Sequence, residues 1–169
     1  MPHKGMGSHQ SARMEKDEWL TPPWLIERLG HFDVDPCAPV IRPWPTADKH
    51  YTIEDGGLYQ PWRGRVWLNP PYGLQTEEWL KKLVIHKNGT ALIFARTETA
   101  WFRNCVWRYA TALLFIHSRL TFHHVNGDQA VHNAGAPSVL IAYDKVNAKI
   151  LRGCVGFGAY VDNRYTRMT

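Results

Sequence analysis

Hydrophobic and polar positions along the chain follow two kinds of pattern in turn. Five short runs have strand character: Phe32-Asp33-Val34-Asp35, Arg65-Val66-Trp67-Leu68, 90–95, 112–116 and 138–143. The last three are continuously apolar, as expected of strands covered on both faces. Between them lie segments with helical spacing. Trp24 to Leu29 follows Pro22-Pro23, which predicts a helix with proline in its first turn, Thr21 as N-cap and Gly30 as the stop. Residues 75–86 carry Trp79, Leu80, Leu83 and Val84 on one face, and a further helix is predicted from Glu98 to Arg108. This alternation predicts a single-domain α/β fold with a mostly parallel central sheet flanked by helices.

Three segments escape the pattern. Residues 1–16, rich in Gly, Ser, His and basic side chains, read as a flexible N-terminal tail, with the folded domain at 17–169. Segment 123–137 is long and polar, so it is a functional loop or lacks order. The tail from 151, with Gly153, Gly156 and Gly158, predicts no definite element.

Composition narrows the class. With 44% apolar residues over 169 positions the chain has enough material for one core and too little for two. No apolar run is long enough to span a bilayer, and the first residues lack the apolar centre of a signal peptide. Cys37, Cys105 and Cys154 are widely spaced and odd in number, which argues against disulfides or a zinc ribbon and for a reducing, cytoplasmic setting. His123, His124, His132 and Asp128 match no zinc spacing, so no metal is expected. A net charge of +5 suits a polyanion without proving one. Arg96, Arg103, Arg108 and Arg119 are candidates for phosphate contacts, or for solvated and carboxylate-paired roles.

The candidate chemistry sits where two strands end. Ligands of α/β sheets bind beyond the carboxyl ends of strands, and both Asp35-Pro36 and Asn69-Pro70-Pro71-Tyr72 lie there. The Asn side-chain carbonyl and the Pro70 backbone carbonyl are acceptors, and the prolines contribute no N–H. Two converging acceptors suit a group with two N–H bonds, such as an exocyclic amine or a carboxamide. Tyr72 adds a flat face for a planar ring. Holding both hydrogens of an aromatic amine favours a pyramidal nitrogen and stabilises the positive charge that grows when it attacks an electrophile. A plain tight turn is the alternative for the tetrapeptide.

The order Thr21-Pro22, Asp35-Pro36-Cys37-Ala38, Asp55-Gly56-Gly57-Leu58 and Asn69-Pro70-Pro71-Tyr72 resembles the amino-methyltransferases of DNA, and most closely the small phage-encoded DNA adenine-N6 methyltransferases. The resemblance runs from about Asp17 to Tyr143. It implies a Rossmann-like S-adenosylmethionine-dependent methyltransferase fold, double-stranded DNA as partner, and the cytoplasm of a bacterial host as location. It implies cofactor binding by Trp19, Thr21, Pro22, Asp35, Pro36, Asp55, Leu58 and Asn69. Within that set, Asp35 would meet the ammonium and Asp55 the adenine. It also implies catalysis by Asn69, Pro70, Pro71 and Tyr72, with the flipped base stacked between Tyr72 and Phe122.

Two departures qualify the match. The glycine-rich turn usual after the first strand is missing, since Ala38 leads into Pro39-Val40-Ile41. No block remains for a large recognition domain, so sequence reading falls to short loops such as 123–137. Asp48 stands between a ribose ligand and a solvated loop carboxylate. The alternatives are a catalytically inactive DNA-binding protein of the same fold, and a methyltransferase acting on RNA, cytosine N4 or protein glutamine. A monomer is the simplest expectation for the assembly.

Overall fold

The computed structural model describes residues 19–132 and 134–163. The expected tail at 1–16 lies outside the described residues. Seven strands form one sheet in the order β2-β1-β3-β4-β6-β5-β7. They are β1 (Val34–Asp35), β2 (Lys49–His50), β3 (Val66–Leu68), β4 (Gly89–Phe94), β5 (Ala112–Ile116), β6 (Ser138–Ala142) and β7 (Gly158–Asp162). Four α-helices accompany them among the described residues: α1 (Pro23–Leu29), α2 (Thr76–His86), α3 (Ala100–Phe102) and α4 (Lys145–Arg152). Helix α3 widens into a π turn over Arg103–Trp107, so the single helix expected at 98–108 is shorter and irregular. Among the described residues no helix is long and apolar enough to cross a membrane.

The sheet has an apolar layer on each face. Within β3, Val66 and Leu68 face α2 and the π turn, while Trp67 faces the layer of α1 and α4, as period-two side chains must. Leu80, Leu83, Phe102 and Val106 complete the first layer. Leu25, Leu29, Ala148 and Leu151 complete the second.

The expectation of a mostly parallel sheet is corrected. Strands β2, β1, β3 and β4 are parallel, but β6 runs antiparallel to both β4 and β5, and β7 antiparallel to β5. The antiparallel ladders are the longer ones, so the sheet is mixed and mostly antiparallel in its pairing, not the mostly parallel sheet expected. The physical reason lies in the β5–β6 connection. The described residues of 117–137 contain no α-helix, and the chain returns to insert β6 between β4 and β5. A strand covered on both faces is apolar throughout whichever way it runs, so its composition carries no direction.

Smaller corrections follow from local geometry. Pro22, not Thr21, occupies the N-cap position of α1 and offers no side-chain cap. Gly30, at φ 80°, ends the helix as expected. Segment 123–137 is tied down where described: His123 bridges Leu20 on one side and Gln129 on the other. Strands β2 and β7 and helix α4 went unread in the sequence. The Asp144 carboxylate caps α4, accepting from the Asn147 N–H at 2.8 Å.

Candidate active site

Strands β1, β3 and β4 deliver their carboxyl ends to one edge, and the segments singled out in the sequence meet there. Asn69 follows β3 directly. Its Nδ2 donates to Thr21 Oγ1 at 3.4 Å, while its Oδ1 is buried without a hydrogen-bond partner. No described residue donates to the Pro70 carbonyl either. The two acceptors expected of this turn are therefore both open. The turn is anchored from behind: Thr76, buried at the start of α2, donates its hydroxyl to the Pro71 carbonyl at 2.9 Å. Tyr72 stacks on Phe94 from the end of β4, with ring centroids 4.0 Å apart and planes 9° from parallel. Its hydroxyl is buried and unpartnered, and burial raises its pKa well above the usual phenol range.

Asp35 ends β1 and is only 3% exposed. One carboxylate oxygen accepts from the Cys37 N–H at 3.0 Å and the other from the Thr46 hydroxyl. Burial pushes its pKa up to about 6, although these two bonds and the nearby Arg42 charge act in the opposite sense. Thr46 is itself fixed by its backbone N–H, which donates to His50 Nε2 at 3.1 Å. The irregular stretch 39–48 thus closes over Asp35. It also reaches Thr21, whose carbonyl accepts from Trp44 Nε1 at 3.2 Å.

Segment 55–58 packs against the same place. A Cβ on Gly57 would lie 2.0 Å from the Pro36 carbonyl oxygen, so only glycine lets these backbones meet. Leu58 leans on the adjacent apolar layer, and its carbonyl accepts from Lys82 Nζ at 2.7 Å. Asp55 is exposed, and the Thr52 backbone N–H and hydroxyl hold its carboxylate below the usual range. Trp19 lies against His124 at 4.9 Å between centroids, with its indole nitrogen buried and unpartnered.

Two residues fall elsewhere. Phe122 is buried in the layer shared by α1 and α4 and does not line the cavity beside Tyr72. Asp48 precedes β2, at the opposite ends of the strands, and pairs with His31 at 2.9 Å. Conversely, Trp44, Thr46, Thr76 and Phe94 shape the site without having been singled out. Thr46 and Trp44 sit in a Pro-rich stretch with no periodicity, so only the folded chain brings them to Asp35 and Thr21.

The site has open acceptors on a rigid Asn-Pro-Pro-Tyr turn beside a buried carboxylate. A family model described as DNA N-6-adenine-methyltransferase (Dam) matches residues 8–163. The chain belongs to this family. Membership in the Dam family makes it a DNA methyltransferase by descent, as the resemblance of its motifs implied. No curated protein and no solved structure matches the chain. For a Dam-family protein the mixed sheet and the closed 39–48 stretch are the features that its short motifs did not announce.

Proposed function

We propose that the chain transfers a methyl group from S-adenosylmethionine to the N6 amine of an adenine swung out of duplex DNA. The observation that carries this reading is the pair of open acceptors, Asn69 Oδ1 and the Pro70 carbonyl, on a turn that ends a buried strand in a Dam-family chain. A buried acceptor such as Asn69 Oδ1 costs free energy in the resting protein when it has no donor, so it suits a ligand that brings N–H groups.

The donor set fits the cofactor. A buried carboxylate with spare lone pairs at Asp35 suits an ammonium, and the unpartnered Trp19 indole N–H suits an acceptor. Trp19, Thr21, Pro22, Asp35, Pro36, Asp55 and Leu58 would hold it, with Asn69 at the boundary between cofactor and base. When bound, S-adenosylmethionine supplies an electrophilic methyl group on a sulfonium.

The chain's own residues do the rest. Asn69 Oδ1 and the Pro70 carbonyl accept the two amine hydrogens, pull the nitrogen towards a pyramidal geometry and stabilise its developing positive charge. Thr21, by accepting from Asn69 Nδ2, keeps Oδ1 turned to the substrate. Thr76 holds the turn in place through Pro71. Tyr72 offers its ring to the base. The nitrogen gains a methyl group and sheds one proton to solvent.

The test is methyl transfer from labelled S-adenosylmethionine to unmethylated DNA, followed by digestion to nucleosides. Label is expected in N6-methyladenine, and its loss in Asn69→Ala is expected with it. Label in N4-methylcytosine, or transfer only to RNA or protein, would replace the substrate. Cofactor binding without transfer to any of these substrates would sink the reading.

A further inference from the structure

We propose that Trp101 is the second aromatic wall of the place beside Tyr72 where the reading above seats the extrahelical base, and that Arg96 is a ligand of the adjoining DNA phosphate. This rests on the methyltransferase reading above and assigns residues that reading leaves open. The cavity measures about 290 Å³, and its walls include Tyr72, Phe94, Arg96, Thr99 and Trp101. That is at the small end of ligand cavities, roughly 300–1,000 Å³, so it suits a single base better than a whole cofactor.

The aromatic arrangement narrows the choice further. Phe94 covers one face of Tyr72 at 4.0 Å, which leaves only the other face to receive a base. A base held there needs a second wall. Phe122 is committed to the opposite apolar layer, whereas Trp101 is half-buried and lines the cavity. An indole presents a large flat area at little conformational cost.

The loop that carries these residues is preset. The Arg96 N–H donates to the Phe94 carbonyl at 2.8 Å, and Thr99 returns both its N–H and its hydroxyl to the Arg96 carbonyl at 3.0 and 2.7 Å. Thr99 Oγ1 then accepts from the Phe102 N–H at 3.3 Å and starts α3, which fixes Trp101 in its first turn. Arg96 lines the cavity, and its side chain makes no ion pair or hydrogen bond among the described residues, although exposed Glu98 lines the same cavity. An unpaired guanidinium on a residue that lines a base-sized cavity offers the fork geometry that phosphates take.

The experiment uses the full chain with unmethylated duplex DNA and compares Trp101→Ala, Trp101→Phe and Arg96→Gln. Calorimetry with S-adenosylmethionine is run on each. Trp101→Ala is expected to lower kcat/KM for DNA by roughly 5- to 150-fold, the worth of one base stack. Trp101→Phe is expected to recover most of it, with cofactor affinity unchanged in both. Arg96→Gln is expected to weaken DNA binding and to reduce the salt dependence by about one phosphate.

Wild-type kcat/KM in Trp101→Ala overturns the subsite, as does equal loss in Trp101→Phe accompanied by lower thermal stability, which marks a packing role. An unchanged salt slope in Arg96→Gln removes the phosphate contact. A wild-type chain that binds cofactor yet methylates no DNA overturns the function reading itself, and the subsite falls with it.

Discussion

The two ends of the strands in this sheet treat buried polar atoms in opposite ways. At the amino ends, Asn147 is fully buried and joins four neighbours. Its Oδ1 accepts from Arg65 Nε at 2.7 Å and from the Thr90 hydroxyl at 2.9 Å, and its Nδ2 donates to Asn88 and Asp144. Arg65 Nη2 is the exception that stays unpaired there. At the carboxyl ends, Asn69 Oδ1, Tyr72 Oη and Trp19 Nε1 are all buried without partners. One asparagine closes a network and the other holds an acceptor open. On the function proposed above, the difference is that between a polar group serving the fold and one kept for a ligand.

The contrast is broken most severely at its functional end. Asn69→Ala is expected to slow methyl transfer by about 10²–10³-fold, the usual cost of losing one preorganised electrostatic group. Its denaturation midpoint should move little, because Oδ1 supports nothing in the resting protein and the Nδ2 bond to Thr21, at 3.4 Å, is long and weak. A large loss of stability instead would show that Asn69 is part of the scaffold.

Asn147→Ala should do the reverse. Leaving several buried partners unsatisfied costs roughly 2–4 kcal/mol in denaturant unfolding. Methyl transfer per folded molecule should stay at the wild-type level. A drop in kcat for the folded fraction would erase the division between the two ends.

Asp35 sharpens the comparison through pH. Its folded pKa of about 6 lies above the ordinary 3.8, so the folded protein binds this proton more tightly than the unfolded chain does. Stability attributable to the group is therefore present below pH 3.8 and is lost as pH rises through 6. At pH 8, Asp35→Asn should raise the unfolding free energy by roughly 1–3 kcal/mol, because the Thr46 hydroxyl can turn to suit either side chain. The same substitution should weaken cofactor binding, since the ammonium loses its counter-charge. In the wild type, cofactor affinity should rise between pH 5 and 7, levelling above the pKa of about 6, with proton release on the acid side. Calorimetry in two buffers of different ionisation enthalpy measures both, and a flat profile would detach Asp35 from the cofactor.

The smallest effect is expected at Tyr72. Tyr72→Phe removes a hydroxyl with no partner and keeps the ring against Phe94. Rate should stay within about threefold, and stability should hold or rise by less than about 1 kcal/mol. A collapse in rate would mean that the hydroxyl, not the ring, meets the substrate.

Much of this site was legible before the fold was known. Asn69-Pro70-Pro71-Tyr72 is local: prolines fix the backbone and delete donors wherever the turn sits, so its open acceptors follow from composition. The continuous apolar runs at 90–95, 112–116 and 138–143 likewise became β4, β5 and β6 to within a residue. Thr46 and Trp44 were not legible, because an irregular Pro-rich stretch has no period that tells which side chain turns inward. Nor was the displacement of Phe122, which depends on how segment 117–137 returns to the sheet.

The sequence by itself therefore determined the apolar strands β3 to β6, helices α1 and α2, the turn chemistry and the family, since these rest on short-range sterics and on side-chain type. Only the tertiary structure decided the direction of β6, the closure of 39–48 over Asp35, and which aromatic ring stands beside Tyr72. Those depend on contacts between residues far apart in the chain, and an apolar or irregular segment reads the same whichever neighbour it finds.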